Sequence, residues 1–120
     1  MRRVWLTAAF WFVIAGAIGH VFNAMLEGAC PVVQFFTCGF FTALIYFMFT
    51  VILSDSKKEL KTASKVFLAL VEMFAVFAAM GCTAVIYTKN DPSWEMYLTW
   101  VVFAILVGTD SYMDAKKVNI

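Results

Sequence analysis

The chain has 120 residues, 63% of them hydrophobic and 14% charged, with a net charge of +1 and a mean hydropathy of +0.85. Soluble domains run at about 45–50% apolar and about 25% charged, so the composition excludes an ordinary soluble domain and points to an integral membrane protein. Its connecting segments are too short to house a catalytic domain, so an enzyme is not expected, nor a cofactor or a bound metal.

Residues Met1–Arg3 form a short basic start. Val4–Phe22 is then apolar except for Thr7 and His20. A signal peptide has a shorter apolar core, about 7–15 residues, and then a small-residue cleavage site. The longer run here, continuing into HVFNAMLEG, predicts a retained first span over 4–22. Asn23–Cys30 reads as a tight connection, and Pro31 suits the first turn of the next helix because it lacks an N–H. Pro31–Leu53 carries no charge and predicts a second span over 31–53.

The stretch 54–65, SDSKKELKTASK, is the distinctly polar one. Ser56 and Glu59 match a capping box, which predicts helix from near Lys57 straight into the third span. Lys57, Lys61 and Lys65 would then form a basic stripe at the membrane surface. Anionic lipid headgroups suffice to explain it, and no nucleic-acid partner is expected.

Val66–Tyr87 predicts the third span and carries one charge, Glu72. On a helix, Glu72, Ala75, Ala79, Cys82 and Thr83 share a side, because residues three and four apart are neighbours. Small stripes let membrane helices approach closely, so this face is expected to pack on another helix. Thr88–Ser93 is a turn, with Asp91 as the expected helix cap and Pro92 as the expected first helical residue. The fourth span, over 96–113, crosses only if Asp110, Ser111 and Tyr112 belong to the embedded helix. Ala104, Gly108, Ser111 and Ala115 make a second small stripe there.

Four spans put both termini and the 54–65 loop on one side. That side holds Arg2, Arg3, Lys57, Lys58, Lys61, Lys65, Lys116 and Lys117, eight of the nine Lys and Arg, against Lys89 opposite. The positive-inside rule then predicts cytoplasmic termini. The expected architecture is a single all-α bundle of four transmembrane helices, both termini inside, in a bacterial inner membrane.

Three groups of residues stand out chemically. Glu72 lies about 12 Å along its helix from Ser64, and Asp110 about 9 Å along its own from Lys116. Two carboxyl groups at one depth could share a proton or bind a cation. The plainer alternative has Asp110 solvated among headgroups and Glu72 either protonated or hydrogen-bonded to a neighbouring Thr or Ser. His20, Asn23 and Gln34 gather near the first connection, where a structural hydrogen bond to loop backbone is a simpler role than metal binding. Cys30, Cys38 and Cys82 all map to the outer half. Their odd number and lack of paired spacing favour free thiols that pack as small apolar groups.

The segment VGTDSYMDAKK, Val107–Lys117, resembles the end of the last span in lambda-type phage holins. The likeness rests on Gly108, Thr109, Asp110 and Ser111, followed by a short basic tail. It implies an oligomer that opens the inner membrane, although such holins have three spans rather than four. The leading expectation is a small subunit that works by helix association, with itself or with a larger membrane partner. The rivals are a holin-like pore and a small proton- or cation-coupled transporter, oligomeric around Glu72.

Overall fold

The computed structural model describes residues 2–54, 62–88 and 90–117. They form four α-helices: α1 (Arg2–Met25), α2 (Pro31–Leu53), α3 (Thr62–Tyr87) and α4 (Trp94–Lys117). Each is long and apolar enough to cross a membrane, and no strand occurs among the described residues. The expected start of α3 near Lys57, with Lys57 and Lys61, lies outside the described residues. Lys65 is half-buried in the first turns of α3.

Neighbouring helices run antiparallel. Trp5 meets Phe47 while Phe12 meets Phe35, so numbers rise on α1 as they fall on α2. Cys38 meets Thr83 and Thr42 meets Met80, which orients α2 against α3 in the same way. The tightest contact is between α1 and α2. A methyl group at Gly39 would lie 2.6 Å from the Phe12 carbonyl, and one at Gly16 would lie 2.9 Å from the Phe35 carbonyl. Only glycine allows two backbones this close. The interior is filled by Trp11, Val76, Met80, Trp100, Phe103 and Val107. Leu6, Phe10, Phe36, Phe40, Phe74 and Ile105 point outward, as lipid-facing residues do.

The end of α1 and the start of α4 differ from expectation, each for a local reason. α1 continues to Met25 because Asn23 turns inward, where its polar group is satisfied. The first connection is thereby cut to 26–30, and Glu27 and Cys30 adopt left-handed φ of 53° and 59° to make the turn. α4 begins at Trp94, so Asp91 does not cap it and Pro92 is not its first residue. The Ser93 carbonyl instead accepts the first bonds, from the N–H groups of Met96 and Tyr97 at 3.1 and 3.3 Å. Asn90 holds the chain out of the helix until then, by donating to the Leu26 carbonyl at 3.0 Å.

Candidate functional site

One edge of α2 carries a polar residue at every fourth position: Gln34, Cys38, Thr42, Tyr46, Thr50 and Ser54. Four-residue steps set each beside the next, and because each step turns about 40° beyond a full circle the row winds slowly round α2, facing α1, then α3, then α4; none is more than 7% exposed. In lipid a polar side chain needs a partner within the protein, and each of the first five finds one on another helix. Asn23 of α1 donates to the Gln34 side-chain carbonyl at 2.6 Å. Cys38 Sγ and the Thr83 hydroxyl of α3 share a bond at 3.1 Å. Thr42 points its hydroxyl at Met80 Sδ, 4.0 Å away. Tyr46 donates to the Asp114 carboxylate of α4. Thr50 and Ser111 of α4 bond at 2.7 Å.

The last two contacts open onto a cluster of carboxyl groups. Asp110 and Asp114 are one turn apart on α4 and so share a face. Asp110 accepts from the Trp11 indole N–H at 2.8 Å. Asp114 is buried and lies 3.8 Å from the Arg3 guanidinium, whose side chain is 64% exposed. Glu72 reaches this region from α3. It is 0% exposed, and neither carboxyl oxygen has a hydrogen-bond partner. The Ser111 hydroxyl and the Asp110 carboxyl of α4 are its polar neighbours, and the hydroxyl, here bonded to Thr50, is near enough to turn to it. Glu72 is the one buried side chain left unsatisfied among the described residues.

At the far end of the bundle the connections are tied to one another. Asn23 also donates to the carbonyls of Ala29 and Tyr87, at 3.1 and 3.4 Å, and the Ala29 N–H bonds the Tyr87 carbonyl at 3.2 Å. His20 takes no part in this. It is exposed on α1, so the expected grouping of His20 with Asn23 and Gln34 reduces to the two amides.

The two small stripes fare differently. On α4, Ala104, Gly108, Ser111 and Ala115 are all buried. Gly108 packs against Met73 and lies close to the Ala69 carbonyl of α3. On α3, the buried line from Glu72 passes through Val76, Met80 and Thr83. Ala75 and Ala79 are only half-buried, and Cys82 faces outward. The four-residue steps win over the three-residue ones because α3 must face α2 and α4 together. All three cysteines are free, with Cys38 buried and Cys30 and Cys82 exposed.

The continuous α2 row and the site roles of Asp114, Arg3 and Trp11 go beyond the sequence expectations. The sequence signals for them are the four-residue polar repeat of α2 and the Asp110–Asp114 spacing. Among the described residues no three His, Cys, Asp or Glu side chains converge as a divalent metal would require. Comparison with protein families, with curated proteins and with solved structures gives no match to this chain.

Proposed function

We propose that this chain is an integral membrane protein that moves protons across the bilayer, alone or coupled to a second solute, with Glu72 as the proton carrier. The observation that carries this reading is the contrast between Glu72 and its surroundings. The buried polar groups of α2 have partners, as interior groups of a membrane bundle must. Glu72 has none and is wholly buried. An unsatisfied carboxyl deep in a bundle destabilises it, and such groups inside membranes mark ion and proton pathways. The positive-inside bias supports cytoplasmic termini, so the carboxyl cluster belongs to the cytoplasmic half.

Reconstitution into lipid vesicles with a trapped pH indicator tests this. An imposed pH gradient should collapse at least tenfold faster than in protein-free vesicles. Glu72→Gln, which keeps shape and hydrogen-bonding capacity, should fold normally and return the rate to background. A wild-type rate equal to that of empty vesicles would overturn the reading.

The second reading is a self-associating or accessory subunit. It draws on the shallow apolar groove between α1 and α4, lined by Ile14, Ile18, Leu98, Val102 and Leu106, which another helix could fill. Co-purification in mild detergent tests it. The holin reading has less support, because Gly108, Asp110 and Ser111 spend their contacts on Met73, Trp11 and Thr50 within the chain.

A further inference from the structure

The polar edge of α2 runs well past the carboxyl cluster. From Gln34 to Ser54 it rises about 30 Å, which is the thickness of the hydrocarbon core. We propose that this edge is the route by which protons pass between Glu72 and the opposite side of the membrane, with Thr42 as its critical step. The proposal rests on the proton-carrying reading of Glu72.

A route of this kind needs exchangeable groups at a spacing that water can bridge. Successive rungs of the edge are about 6 Å apart along the helix. Two hydrogen bonds in series through one water cover about 5.5 Å. The chemistry at the rungs suits the task. Cys38 with Thr83, then Thr42, Tyr46 and Thr50 with Ser111 are all hydroxyls or thiols. Each can accept a proton on a lone pair while passing its own to the next water or rung. Only O–H and S–H bonds form and break, and each rung is restored when it reorients. Glu72 binds one proton and releases one. The Asn23–Gln34 amides at the far end do not carry protons; they lie beyond the last rung that does, Cys38 with Thr83.

Helix packing alone does not account for the edge. Apart from the Asn23–Gln34 bond at one end, α1 and α2 are held together by glycine contacts and edge-to-face phenylalanines, so helices in this bundle pack closely over most of a span without polar side chains. Adhesion would need one or two polar pairs, whereas here the polar positions continue without a gap across the whole span. The charged groups around the Glu72 end are Asp110 and Asp114 on α4 and Arg3 on α1, with the Tyr46 phenol facing them from α2.

Thr42 is the informative rung because its hydroxyl meets only a methionine sulfur, so no neighbouring oxygen can take over its role. Thr42→Val keeps the shape and removes the hydroxyl. In the vesicle assay it should slow proton flux at least tenfold while the unfolding midpoint in detergent stays unchanged. Thr42→Ser should keep the wild-type rate. Should Thr42→Val fail to insert, the double change Cys38→Ala with Thr83→Val, which removes both exchangeable groups of the next rung, carries the same test. If Glu72→Gln abolishes flux and Thr42→Val does not slow it, the route is wrong and the role of Glu72 stands. If wild-type vesicles are no leakier than empty ones, both fall together.

Discussion

The indole N–H of Trp11 on α1 donates to the Asp110 carboxylate on α4 at 2.8 Å. With the Arg3–Asp114 ion pair and the Phe22–Trp100 contact, it ties the first helix to the last. Trp11→Phe keeps most of the ring and removes the donor. An interhelical hydrogen bond in a membrane contributes about 0.6–2 kcal/mol. The unfolding midpoint in detergent should fall by an amount in that range, and an unchanged midpoint would mean that the bond is not holding α1 in place.

Glycine substitutions should separate the two kinds of helix contact. At Gly39 an added methyl would lie 2.6 Å from the Phe12 carbonyl, a backbone atom that cannot step aside. Gly39→Ala should destabilise by about 1–3 kcal/mol, the usual cost of overpacking. At Gly81 an added methyl meets nothing within 4 Å. Gly81→Ala should be neutral or stabilising by up to about 1 kcal/mol, through helix propensity. Equal effects at the two sites would contradict the close packing of α1 on α2.

Thiol labelling reads both burial and orientation. Cys30 is exposed in the first connection, Cys82 is exposed on the apolar flank of α3, and Cys38 is buried. A membrane-impermeant maleimide should label Cys30 on intact cells, leave Cys38 untouched, and reach Cys82 poorly because lipid covers it. Labelling of Cys30 only after permeabilisation would reverse the proposed orientation.

The amide pair at the far end should behave as a unit. Asn23→Leu strands the Gln34 side chain and should cost about 1–3 kcal/mol. Replacing both by Leu should cost less than the sum of the single changes, by about 0.5–3 kcal/mol of coupling. Strict additivity in a double-mutant cycle would show that the 2.6 Å bond contributes nothing.

Much of the fold was legible because bilayer thickness turns apolar run length into helix count. α2 begins at Pro31 and ends at Leu53, the bounds its proline and its uncharged apolar run predict. The site was harder to see. Single charges such as Glu72 draw the eye, whereas Thr42, Tyr46 and Thr50 are neutral residues that any apolar helix tolerates. Their meaning lies in the repeat and in what α3 and α4 set opposite them. The contact between Tyr46 and Asp114 joins residues 68 apart in sequence, and no local pattern announces such a pairing. The outward turn of Cys82 was equally hidden, since both three- and four-residue steps from Glu72 fit a helix.

The order in which the helices are made gives the α2 edge a consequence for biogenesis. Tyr46 and Thr50 leave the ribosome early, yet both of their partners are on the last helix, with Thr50 and Ser111 separated by 61 residues. At about 5–20 residues per second, the α2 groups wait on the order of 3–12 s for α4 to arrive. During that interval the Thr50 hydroxyl can fall back on the carbonyl one turn earlier, as Thr37 does on Val33, but the Tyr46 phenol cannot. Release of α2 into lipid is therefore favoured once α4 can be threaded alongside. A chain that stalls after α3 would present the bare Tyr46 phenol to lipid, a mark by which quality-control proteases could recognise an unfinished copy.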